Sequence, residues 1–170
     1  MKKLGKSTKK GFTLVELIVV LVILAVLAAM LVPALVGYID RARAEKEYQT
    51  AATIYGAAQA VITEKYAKDT TLAKGSLTKA STNDPVIALA GVDTNAIDGF
   101  TFSYGIDYII GSQAVEDGKA DALTALPSGV TIKGTFPTGN NVYGIVVMKQ
   151  AVYFLELTNG VPTWEARTRG

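Results

Sequence analysis

Glu16 is the one carboxylate at the head of a stretch that otherwise carries no reactive group. Residues 17–36, LIVVLVILAVLAAMLVPALV, hold no charge and no hydroxyl. At about 1.5 Å per helical residue such a run reaches across a hydrocarbon core of about 30 Å. An acidic side chain costs roughly 2.5–3.5 kcal/mol at the bilayer centre and less near an interface, so Glu16 asks for a counter-charge. Lys9 and Lys10 lie about two helical turns back, on the water side. A cut between Gly11 and Phe12 would instead place a new α-amino group at about the membrane depth of Glu16 and supply the missing cation.

Other chemistry is sparse. With no histidine and no cysteine, the usual general base, thiol nucleophile and soft metal ligands are missing, and no glycine-rich loop ends in a phosphate-binding lysine. The chain is read as a non-enzyme with no cofactor and no metal. Glu116, Asp117 and Asp121 form an acidic group whose hard oxygens suit calcium, but their spacing fits no known calcium loop and reads as a solvated loop. Arg167 and Arg169 close the sequence and read as a soluble, frayed tail. No Asn-x-Ser/Thr sequence occurs.

The net charge of +2 misleads. Lys2, Lys3, Lys6, Lys9 and Lys10 all precede Phe12, and without them the side chains sum to −3. The sequence pI near 8.7 is therefore a property of the first eleven residues and predicts no nucleic-acid partner. Asp40, Arg41, Arg43, Glu45, Lys46 and Glu47 cancel beyond the apolar run, so the lysine bias places the N-terminus in the cytoplasm and the bulk of the chain outside. Without cysteine, no disulfide supports that outer part.

KKG, then FTLVE, then a long apolar helix containing Pro33, resembles the type IV pilin family over roughly the first third of the chain. The resemblance implies that a membrane prepilin peptidase cuts after Gly11 and methylates the new N-terminus on Phe12. It implies that Glu16 then neutralises the amine of a neighbouring subunit, and that the helices pack as the core of a helical filament. A pilus assembly ATPase and platform protein would be the other partners. The protein would sit in the cytoplasmic membrane as a single-pass chain before assembly and in an extracellular fibre afterwards. Val22 and Ala25 stand where the family often has helix glycines, leaving Pro33 as the one helix breaker there. On this reading the chain is the major structural subunit of a pilus serving twitching motility, adhesion, aggregation or DNA uptake. The alternatives are a pseudopilin of a type II-like secretion or competence system, and a non-assembling membrane-anchored binding protein. A secretory signal is excluded by length, since its apolar region is about 7–15 residues.

The elements follow from periodicity. Residues 37–67 turn amphipathic, with Tyr48, Ala52, Tyr55, Gln59, Ile62 and Tyr66 at three- and four-residue steps, which predicts one helix over residues 12–66 despite Gly56. A short helix is expected at 86–90 behind Pro85, and short strands at 100–103 and 108–110. Residues 112–126 read as loop with some helix. Strands are expected at 130–136, 142–148, 152–157 and 161–166, with a turn at Thr158, Asn159 and Gly160. The fold class is α+β, a pilin fold: a long N-terminal helix packed on an antiparallel sheet built mainly from residues 130–166. One sheet face would bury Tyr48, Tyr55 and Tyr66, and the other would face solvent or a neighbour. The expected parts are a leader at 1–11, a transmembrane and filament-core helix at 12–36, an amphipathic helix at 37–67 and a head at 68–170.

Overall fold

The computed structural model describes residues 11–69, 74–79, 84–105, 108–109, 121–137, 142–158 and 161–170. The chain divides into two compact units, Met1–Ala42 and Arg43–Gly170. The first unit holds the beginning of α1, a helix of 55 residues spanning Leu14–Lys68 that continues through Pro33. Valine and isoleucine are modest helix formers in water. In hydrocarbon, however, backbone N–H and C=O groups must be satisfied within the segment, and a helix does this at every interior position except the Ala29 carbonyl, whose donor Pro33 removes. Among the described residues, α1 is long and apolar enough to cross a membrane, and no residue of that apolar window is buried within the chain.

In the second unit the rest of α1 packs against an antiparallel sheet. Its buried residues are Ala51, Ile54, Ala57, Ala58, Val61 and Ile62, at three- and four-residue steps along one face. The tyrosine face expected from periodicity is therefore rotated. Tyr48 remains 42% exposed, and alanines occupy the line of closest approach because small side chains let the helix sit close to the sheet. The tyrosines flank this line. The Tyr48 and Tyr153 rings are 6.5 Å apart, and Tyr55 meets Trp164 edge-on at 6.1 Å and Phe102 at 5.8 Å. Their hydroxyls explain the choice, since a phenol needs a partner or water. Tyr55 accepts from Gln59 Nε2 at 2.8 Å, and Tyr153 donates to the carbonyl of Ala44 at 3.0 Å.

The sheet contains β1 (Gly75–Thr78), β2 (Ile97–Gly105), β3 (Tyr108–Ile109), β4 (Val142–Met148), β5 (Ala151–Thr158) and β6 (Val161–Thr168). Five strands run in the order β1-β2-β4-β5-β6, with β3 paired to β2, and all pairings are antiparallel. A short helix, α2 (Pro85–Ala90), starts as expected with proline in its first turn, and Asp84 caps it by accepting from the Val86 N–H at 2.9 Å. The expected hairpins among β4, β5 and β6 are present, although Asn159 and Gly160 of the last turn lie outside the described residues.

Two expectations about the sheet are corrected. Residues 130–136 do not form a strand. Gly129 and Gly134 adopt φ of 78° and 103°, left-handed conformations that interrupt an extended chain, and the segment makes an isolated bridge between Ile132 and Arg169. Nor is the second sheet face open. Leu123, Leu126, Val130, Ile132 and Phe136 pack against Val142, Ile145, Val147, Val152 and Phe154, giving a second apolar cluster. The alternation read as a strand is that of a covering loop. β4, sandwiched between helix and loop, is buried at all seven positions, which accounts for its continuous apolar sequence. β1 was not expected, and it adds one buried residue, Leu77, at the edge.

The C-terminus is also tied down rather than frayed. Arg169 pairs with Asp98 and donates to the Met148 carbonyl at 3.0 Å. Its backbone N–H reaches the Gln150 carbonyl at 3.0 Å, and the Gly170 N–H reaches that of Thr131 at 3.1 Å. Arg167 pairs with Glu165.

Two outcomes check this packing. A Cβ at Gly144 would lie 2.6 Å from Phe102 Cδ1 and 3.0 Å from Leu155 Cβ, and neither neighbour has solvent to move into. Gly144→Ala should destabilise the head by about 1–3 kcal/mol and lower its thermal midpoint by at least about 3 °C. Asp98 is held below the ordinary aspartate value of 3.8 by its hydrogen bond from Lys149, with Arg169 adding to it. A depressed carboxyl stabilises the folded state above that ordinary value and ceases to do so as pH falls below it. The stability difference between wild type and Asp98→Asn should thus shrink as urea unfolding is repeated from pH 6 down to about pH 3.

Candidate processing and assembly site

The described chain opens with Gly11, Phe12 and Thr13 in extended or irregular conformation, and α1 begins at Leu14. Phe12 is 84% exposed in the single chain. Three residues of irregular backbone before a helix, with glycine first, present an accessible peptide bond between Gly11 and Phe12.

Thr13 and Glu16 form a reciprocal cap at the helix start. The Thr13 hydroxyl accepts from the Glu16 backbone N–H at 3.2 Å and donates to Glu16 Oε2 at 2.8 Å, while the Thr13 N–H donates to the same Oε2 at 2.9 Å. This is the capping-box arrangement, in which a threonine and a glutamate three residues later satisfy helix N–H groups that have no intrahelical partner. The negative side chain also lies in the first turn, where the helix dipole favours it.

That geometry refines what the sequence says of Glu16. Its carboxylate is not without contacts in the single chain, because Thr13 takes one oxygen. Hydrogen bonds from neutral groups leave the charge in place, however, and a carboxylate offers about four lone-pair sites on two oxygens. The side chain can keep its cap and still accept an ammonium. Thr13 is not among the residues singled out from the sequence above. Its signal was available as a Thr-x-x-Glu spacing immediately before an apolar run.

The remaining sites named from sequence are dispersed. Pro33 lies within α1, in the first unit, and is exposed. Asp121 accepts from Lys74 Nζ at 2.9 Å, while Glu116 and Asp117 lie outside the described residues. Among the described residues no group of three or more carboxylates, histidines or cysteines is placed to hold a metal ion. Arg167 and Arg169 are engaged by Glu165 and Asp98 within the head.

A sequence profile of the prokaryotic N-terminal methylation motif matches residues 6–32. That interval contains the accessible Gly11–Phe12 bond, the Thr13–Glu16 cap and most of the apolar run. Compared with curated proteins and with solved structures, the chain has no match. The methylation motif, leading into a long helix that packs on an antiparallel sheet, supports a type IV pilin-like or pseudopilin prepilin.

Proposed function

We propose that the chain is the major structural subunit of a type IV pilus, cleaved between Gly11 and Phe12, N-methylated on Phe12 and polymerised through residues 12–36. It does no catalysis itself. The observation that carries this reading is the capped carboxylate on the fifth residue beyond the scissile bond. Cleavage creates an ammonium on Phe12, and Glu16 offers the opposite charge at nearly the same depth.

The charge pairing gives assembly its direction. Two unit charges about 4 Å apart attract by about 1 kcal/mol in water and about 4 kcal/mol at an effective dielectric of 20. An incoming subunit is therefore drawn to a Glu16 in an apolar surrounding far more than to one in solution. Packing among the apolar runs then supplies cohesion. Because lipid is as apolar as a neighbouring helix, burial by itself does not favour leaving the bilayer. Extraction needs work, which an assembly ATPase acting through a platform protein would supply. Motility, adhesion, aggregation and DNA uptake are the roles such a fibre serves.

Mass spectrometry of fibres sheared from the cell surface tests processing: a chain beginning at N-methylated Phe12 is expected, and a Met1 start defeats the proposal. Glu16→Ala should be cleaved and inserted normally yet give few or no fibres by electron microscopy, whereas Gly11→Val should accumulate uncut. Thr13→Ala removes the cap but not the charge. It should cost about 1 kcal/mol of local helix stability, seen as roughly fivefold faster amide exchange at residues 14–17 in micelles, while fibres still form.

A further inference from the structure

Strand β6 ends the sheet, and among the described residues no strand lies along its outer edge. The Arg169 N–H donates inward to the Gln150 carbonyl, and the unbroken β5–β6 register carries that alternation back along the strand. Residues 161, 163, 165 and 167 therefore bond β5, while Pro162, Trp164, Ala166 and Thr168 turn their backbone groups outward. The open edge has two stops. Pro162 has no N–H to leave unbonded, and beside Thr168 the Lys133 N–H already reaches the carbonyl from outside, with Ile132 bridging to Arg169. Between these stops the N–H and C=O groups of Trp164 and Ala166 have no partner among the described residues. Such groups are a template for another strand.

The side chains along this edge match a copy of themselves. Trp164 packs on Tyr55 of α1, which puts Pro162, Trp164 and Ala166 on one face as an apolar stripe. Pro162 and Ala166 are exposed. On the other face Val161 is 59% exposed, and Glu165 keeps its own cation, Arg167. Laid antiparallel to its copy and centred on Trp164, the strand sets the two tryptophans side by side and Pro162 against Ala166. Thr163 then faces Glu165, and Val161 covers the Arg167 stem. Each Trp164 N–H reaches the other's carbonyl, and each Ala166 N–H reaches the Pro162 carbonyl of the other copy. Neighbouring registers fit worse. Centred on Glu165, the pairing sets carboxylate against carboxylate and drives the other Pro162 into the place that Lys133 fills beside Thr168. Centred on Thr163, it sets Trp164 against Pro162 and loses a donor from each bonded pair.

We propose that β6 is a self-recognition edge at which the heads of two copies pair antiparallel about Trp164 and continue one sheet into the next. The contact is isologous and therefore closed, whereas a fibre grown through residues 12–36 repeats one head-to-tail contact. Strand β6 thus joins subunits of two neighbouring fibres, not successive subunits of one. In this the inference rests on the fibre reading and goes beyond it, to lateral bundling. One edge contact is small and weak, and repetition along two fibres multiplies it.

The chain has no cysteine of its own, so disulfide trapping can read the register. Directly opposed residues at a non-hydrogen-bonded site have Cα atoms about 4.5 Å apart, within disulfide reach, whereas the two copies of Thr163 lie about 8 Å apart and out of reach. Fibres of Thr163→Cys, sheared apart and mixed with fibres of Glu165→Cys under a mild oxidant, should give a dimer linking the two variants, with little from either alone. Ala166→Pro removes only an outward N–H and spares the bonds to β5. It should give fibres in normal number with the wild-type thermal midpoint, but at least about tenfold fewer side-by-side bundles than wild type in electron micrographs. Absence of the mixed disulfide overturns the proposal, as does equal disulfide in the unmixed samples. So do wild-type fibres that lie singly, or Ala166→Pro fibres that bundle like wild type. If cells make no fibres, the subunit reading falls alone; the two variants are then mixed as full-length protein in micelles, where the mixed disulfide upholds the pairing and its absence sinks it.

Discussion

A carboxylate carried into hydrocarbon must bring its counter-charge along or find one there, and the N-terminal third of this chain is arranged around that requirement. Glu16 is too close to a membrane-length apolar run to remain hydrated at no cost. The Thr13 cap lowers that cost without removing the charge, since its two hydrogen bonds to Glu16 Oε2 come from neutral donors. The cap also begins the helix, so the same side chain orders the backbone and carries the charge to be neutralised. On the proposed reading, the amine that cleavage would create on Phe12 supplies a cation at the matching depth.

The head meets a different constraint, that of stability without cysteine. It does so by burying both faces of its sheet. Ile54, Ala58, Val61 and Ile62 of α1 cover one face, and Leu126, Val130, Ile132 and Phe136 cover the other. Gly144 lies where Phe102 and Leu155 leave no room for a side chain, so close packing and not cross-linking fixes the register of β2, β4 and β5. The last residues add to this by closing back on Asp98, Met148 and Thr131.

Much of this was legible before any coordinates. The apolar run and the amphipathic stretch after it marked α1 to within two residues at each end. Pro85 marked α2, and the β-branched runs marked β4, β5 and β6. The failures share a physical cause. Periodicity reports that residues are buried, not what buries them. Val130, Ile132 and Phe136 alternate because they face the core from a loop, and a sequence cannot display the left-handed backbone of Gly129 and Gly134. Tyr48, Tyr55 and Tyr66 are spaced like a core face but lie beside it, because a tyrosine packs its ring and keeps its hydroxyl bonded or wet. Arg169 gave no sign of its partner because Asp98 is 71 residues away. At the candidate processing and assembly site, Gly11, Phe12 and Glu16 were singled out from residue type and spacing, and the Thr-x-x-Glu spacing that marks Thr13 became evident once the helix start was seen.

The central claim is that Glu16 finds its cation on another copy of the chain. It is tested most directly by solid-state NMR on fibres co-assembled from two pools, one labelled with ¹⁵N on the Phe12 amine and the other with ¹³C on the Glu16 carboxyl. Dipolar dephasing corresponding to a separation of about 4 Å between the two labels, possible only across chains, is the expected result. Fibres that assemble normally with no such dephasing would contradict the account.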